Sequence, residues 1–124
     1  MKIHNAAVVL TVSDLDVSLR YFVDTLGFRE DFRFGQYAGI KYDACCIHLS
    51  LLGNPNTTVP GAGVVYIFCD DVDNYYTQIR ERGAVTDGPP HDYEYGIRDF
   101  IVRDPDGNQL TFGSPVNENK DDAP

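Results

Sequence analysis

Apolar and β-branched residues fill Val8-Val9-Leu10-Thr11-Val12, the pattern of a largely buried strand. The pattern then changes period. Leu15, Leu19, Phe22 and Leu26 recur at i, i+4, i+7 and i+11, a single apolar stripe that predicts an amphipathic helix. Asp14 stands where an N-cap carboxylate would accept the first free backbone N–H groups, and Asp16 follows in the first turn, where negative charge favours the helix dipole. Gly27 sits where the helix should stop. Strand-like runs come next, roughly Arg29–Phe34, Ala38–Tyr42 and Cys45–Leu52.

The same order then repeats. Val65-Tyr66-Ile67-Phe68-Cys69 reads as a strand, Asp71 as a cap with Asp73 behind it, and Val72, Tyr76 and Ile79 as a helical stripe ended by Gly83. Strands are predicted at roughly Ala84–Thr86, Ile97–Arg103 and Gln109–Gly113, the last two joined by the turn Asp104-Pro105-Asp106-Gly107-Asn108. Gly53 to Gly61 is rich in Asn, Pro, Thr and Gly and reads as the linker between halves. The chain is therefore expected to be one α+β domain over residues 1–116. It comprises two βαβββ modules, at about 5–53 and 62–114, followed by a polar, frayed tail at 117–124.

Composition narrows the function classes. Ten basic residues against nineteen acidic give a net charge of −9, which disfavours nucleic acid and suits a cationic ligand. No apolar run approaches the roughly 20 residues of a membrane helix, and the first residues lack a signal-peptide pattern, so the expected location is cytoplasmic and off the membrane. The three cysteines, Cys45, Cys46 and Cys69, form neither a disulfide framework nor a CxxC zinc site and read as small core residues.

Several stretches carry a resemblance to a known family. They are Val12-Ser13-Asp14-Leu15, Leu26-Gly27-Phe28, Asp70-Asp71-Val72-Asp73 and Phe100 through Asn108, in that order. Over about residues 5–114 the chain resembles the glyoxalase/bleomycin-resistance/dioxygenase (vicinal oxygen chelate) superfamily. The resemblance implies two βαβββ modules forming a half-barrel cleft. Enzymes of that superfamily hold a divalent metal on four inward strand positions, and by motif these are Ala7, His48, Val64 and Thr111. Ala7 and Val64 have no donor atom and Thr111 offers only a hydroxyl, so neither a metal nor another cofactor is expected. His4 has the wrong parity to replace Ala7 on a strand, and His91 has no partner at ligand spacing. Cys46 and His48 share a strand face, but nothing in the sequence would activate that thiol, so no catalytic residue is assigned.

Strand alternation instead predicts a cleft of rings and small polar groups. Tyr66 and Phe68 accompany Val64, while Cys46 and Ser50 accompany His48. Leu26 through Phe32, Tyr37-Ala38-Gly39, Ile47 through Ser50 and Tyr95 through Phe100 resemble the bleomycin-resistance binding proteins. These are dimeric and hold a cationic antibiotic between subunits without a metal of their own. The tryptophans of that group fall here at Tyr66 and Tyr95, in a chain with no tryptophan. The expected ligand site is Asp31, Phe32, Phe34, Tyr37, His48, Tyr66, Phe68, Tyr95 and Thr111, with Asp31 facing a ligand amine. The implied function is metal-free sequestration of a cationic bleomycin-type antibiotic by a homodimer. The alternatives are a glyoxalase-like lyase or dioxygenase, or a diverged domain binding another small ligand.

Overall fold

The structure, a computed structural model, describes residues 1–116; the tail predicted at 117–124 lies outside the described residues. Each half carries one helix over one mixed sheet. The first sheet contains β1 (Val8–Val12), β2 (Arg29–Phe34), β3 (Tyr37–Tyr42) and β4 (Cys45–Leu51), in the order β1-β4-β3-β2. The second has β5 (Val64–Phe68), β8 (Ile97–Arg103) and β9 (Gln109–Pro115) in the order β5-β9-β8, and β8 is edged by the two-residue strands β6 (Val85–Thr86) and β7 (His91–Asp92). The predicted βαβββ duplication is thus present, with β7 added.

The two sheets share one register. β1 runs parallel to β4 with Val8 opposite Ile47, and β5 runs parallel to β9 with Val65 opposite Leu110. Ala7 and Val64 are therefore equivalent places, as are His48 and Thr111.

Helix α1 (Leu15–Arg20) begins as its sequence dictates: the Asp14 side chain accepts from the Val17 N–H at 3.1 Å. After Arg20 the helix widens into a π-helical segment, Tyr21–Thr25, where the Leu26 N–H reaches the Tyr21 carbonyl. The wider turn leaves both Phe22 and Leu26 fully buried. Helix α2 (Val72–Glu81) is capped by Asp71, whose own backbone is left-handed at φ 42°, a region that Asp tolerates better than most residues.

Helix α1 packs on β3 and β4, and α2 packs on β8 and β9. Leu10, Val12, Ile40, Ile47 and Leu49 from the first half join Val72, Ile79, Phe100, Val102 and Leu110 from the second in one continuous core. The seam between halves is also polar. Buried Asn108 accepts from the Gly63 N–H at 2.8 Å and donates to the Thr11 carbonyl at 3.2 Å and to Asp104 at 2.9 Å. Tyr75 donates to the Leu26 carbonyl at 2.6 Å. With the core taking the helix side of both sheets, alternation sends every second residue to the open side. Those open faces position the candidate site.

Candidate functional site

On the first sheet, pairing places Tyr37, Gly39 and Lys41 on the open face, opposite Ser50, His48 and Cys46. The Tyr37 hydroxyl lies 2.8 Å from His48 Nδ1, and the Phe32 ring stands edge-on to His48 at 5.1 Å. Gly39 explains how the Phe32 ring can lie flat on the sheet, since a Cβ there would collide with it. Phe34 projects from the end of β2 and is 85% exposed. The β2–β3 register slips between Glu30 and Phe32, which makes Asp31 the extra residue of a bulge. Asp31 lies 3.7 Å from Arg29 and lines a cavity of about 360 Å³ with Ala7, Lys41, Cys46 and His48.

On the second sheet the row is Val64, Tyr66 and Phe68 of β5, opposite Gln109, Thr111 and Gly113 of β9. Tyr66 is 40% exposed and Phe68 75%, and their rings sit 5.0 Å apart. Tyr66 lies over Gly113, where a Cβ would meet its hydroxyl. That hydroxyl donates to Asp99 Oδ2 at 2.8 Å, and the Tyr95 hydroxyl donates to the same oxygen at 3.1 Å. Desolvation, and then the adjacent Asp99 carboxylate, push the Tyr66 and Tyr95 phenols above their ordinary range. Both therefore remain donors at neutral pH. Tyr95 also stacks on Tyr93 with ring centroids 5.4 Å apart. Thr111 is buried beneath this face rather than displayed on it.

The predicted site residues thus form two groups. Asp31, Phe32, Phe34, Tyr37 and His48 belong to the first sheet, and Tyr66, Phe68, Tyr95 and Thr111 to the second. Among the described residues, hydrogen bonds and ring contacts hold members together within a sheet, and none joins one group to the other. Sequence reasoning missed Asp99, Tyr93 and the two glycines under rings. The signal for Asp99 was available: it is an acid between Ile97 and Ile101 on one face of a strand.

The metal expected of superfamily enzymes does not fit these residues. Ala7 and Val64 bring no donor, and His48 already has the Tyr37 hydroxyl at its Nδ1. Among the described residues no three His, Cys, Asp or Glu side chains gather as a metal site. Burial raises the Cys45 and Cys69 thiols, which makes them poor nucleophiles at neutral pH. Both line a second, larger cavity of about 480 Å³ at the seam, between the β3–β4 hairpin and the start of α2. The two open faces offer rings, phenol hydroxyls and a carboxylate to a ligand.

Comparison with known proteins agrees with the fold. The bleomycin-binding protein of Streptomyces verticillus, solved with copper(II)-bleomycin, is 30% identical, with a TM-score of 0.74 over 90% of this chain and 96% of that one. TnmS3, an antibiotic binding protein of Streptomyces sp. CB03234, is 25% identical, with a TM-score of 0.75 over 93% and 98%. A superfamily member from Sphaerobacter thermophilus is 25% identical, with a TM-score of 0.78 over 91% and 98%. No curated protein matches the sequence. The sequence profile of one family matches residues 3–112, nearly the whole chain. This chain belongs to the Glyoxalase/Bleomycin resistance protein/Dioxygenase superfamily.

Proposed function

We propose that this protein sequesters a cationic, bleomycin-type antibiotic as a homodimer, without using a metal of its own. The observation that carries the reading is the open face of the second sheet, where Tyr66, Phe68, Tyr93 and Tyr95 stand substantially exposed among the described residues. Exposed aromatic surface of this kind marks a binding surface more often than a free one. Planar heterocycles stack on such rings, and cations are drawn to their faces. The net charge of −9 favours capture of a cation. Two structural neighbours that are 30% and 25% identical bind bleomycin and an antibiotic respectively, which supports a ligand of that class.

The division of the rings into two groups supports the homodimer. Each sheet presents its own open face, and a second copy laid across them would close a cleft lined by both groups. Lyase or dioxygenase chemistry has no such support, because the donor set at Ala7 and Val64 is empty of ligating atoms.

Calorimetric titration with metal-free and with copper(II)-loaded bleomycin tests the reading, alongside the sedimentation mass of the unliganded protein. Both forms should bind, and the mass should be twice that of one chain. Absence of heat at high micromolar bleomycin would remove that antibiotic, and a monomeric mass would remove the shared cleft.

A further inference from the structure

Asp99 is a buried carboxylate with no counter-cation among the described residues. It is 5% exposed, on the open-face side of β8, in register with Gly113 of β9. Oδ2 accepts from Tyr66 and Tyr95, whereas Oδ1 accepts from no described residue. The four arginines of the second half are all committed elsewhere. Arg80 and Arg82 donate to the Ala84 and Thr25 carbonyls, Arg98 holds Asp73 and Asp92, and Arg103 holds Asp87. His91, the cross-strand neighbour of Asp99 on β7, makes no ion pair with it.

Asp104, the other buried acid of this half, is by contrast fully occupied by the Asn108 and Asp106 N–H groups and the Asn108 side-chain amide. Buried charges are ordinarily paired, because desolvation is costly unless a partner offsets it. Access is also retained. Asp99 keeps 5% of its surface exposed, on the open-face side of β8.

The surroundings suit a cation on a planar body. Tyr66, Phe68 and Tyr95 frame the carboxylate, and ring faces attract cations. We propose that Asp99 is the charge anchor of the ligand site, and that it takes an organic cation carried on an aromatic or heteroaromatic ring. This deepens the binding reading above and rests on it. It also moves the anchor from Asp31, which already has Arg29 at 3.7 Å and Lys41 lining the same cavity.

The test compares N-methylquinolinium with quinoline at pH 8, where the first is a permanent cation and the second is neutral. Ligand binding to the full chain is followed by calorimetry. Wild-type protein should prefer the cation by on the order of tenfold, most of it Coulomb attraction to the Asp99 carboxylate and the rest contact with the exposed ring faces. Asp99→Asn keeps the acceptor for both phenols and should bring the two ligands within about twofold. Asp99→Glu should restore part of the preference.

Should Asp99→Asn fail to fold, the side-chain carboxyl carbon resonance of wild-type Asp99 gives the same answer, shifting with the cation and not with quinoline. Equal binding of the two ligands by wild-type protein, or a preference that survives Asp99→Asn, overturns the anchor. Bleomycin binding that is unchanged in Asp99→Asn also overturns the anchor while leaving sequestration standing. An Asp99-dependent cation preference without bleomycin binding does the reverse.

Discussion

Gly113→Ala isolates the packing that builds the aromatic face. The added Cβ would meet the Tyr66 hydroxyl and ring, with Ile97 on the other side. The backbone at Gly113 is not left-handed, so alanine carries no conformational strain there. Tyr66 must instead swing away and give up its 2.8 Å hydrogen bond to Asp99. A hydrogen bond to a charged group contributes about 1.5–3 kcal/mol. Tyr66 is 40% exposed, so its hydroxyl regains water and the loss falls toward the lower end. Alanine also restricts the unfolded chain, which returns about 0.4–1 kcal/mol. The net cost is about 1 kcal/mol, or roughly 4 °C in Tm for a domain of this size. In a Tyr66→Phe background no hydrogen bond remains to be lost, and the exposed ring can shift away from the contact that its Cζ still makes, so the same substitution should cost close to nothing. Urea unfolding of the four proteins in this cycle measures a coupling of about 1 kcal/mol. An equal cost of Gly113→Ala in both backgrounds, or a Tm raised in the wild-type background, refutes the reasoning.

Other predictions concern the seam, the face and the charge network. Asn108→Ala removes three side-chain hydrogen bonds and strands the Gly63 N–H and the Thr11 carbonyl, so urea unfolding should show a loss of roughly 3 kcal/mol; a loss under about 1 kcal/mol would mean that water replaces the amide. Phe68→Ala should change stability by less than about 0.5 kcal/mol, because the ring is 75% exposed, yet weaken ligand binding by about 1–2 kcal/mol. Thermal scans and calorimetry separate these effects, and a destabilised variant with undiminished affinity would place the ring in the fold and not in the site. Arg98 and Arg103 hold the Asp73 and Asp87 carboxylates below the usual value of 3.8 through hydrogen bonds. A carboxyl lowered on folding contributes stability above its unfolded pKa and loses it as pH falls through the folded value. Stability should therefore decline below about pH 4, and less steeply in Asp73→Asn, in acid titrations followed by circular dichroism.

Much of the fold was legible because it is written in local patterns. β2 and β8 occupy the residues predicted for them, and both helices start at the acids chosen as caps. β3 begins one residue earlier, at Tyr37, and β4 ends one earlier, at Leu51. What local pattern could not give is what tertiary partners impose. β7 is two polar residues made into a strand by pairing with β8. The π-helical segment keeps an i, i+4, i+7, i+11 stripe on one side by widening a turn, and the stripe alone cannot distinguish the two geometries. Tyr75 lies off the predicted stripe of α2, yet its hydroxyl ties that helix to the first half.

The strand faces of the candidate residues were legible, but their arrangement was not. Strand parity correctly sent Tyr66, Phe68 and His48 to open faces, but their division between two faces depends on how the modules pack. Thr111 shows the limit of parity: it lies in the open-face row, yet neighbouring side chains bury it. Asp99 escaped notice because its importance comes from what it lacks. That became visible only once the partners of Arg98 and Arg103 were known.

On the function proposed above, the open aromatic faces bind the ligand without a metal. Backbone amide shifts in a chelator-treated sample titrated with metal-free bleomycin test it most directly. The largest shifts should fall at Gly39, His48, Tyr66, Asp99 and Gly113, on the two open faces. Shifts confined to the seam cavity around Tyr42, Cys69 and Asn74, or a spectrum unchanged until a divalent metal is restored, would contradict it.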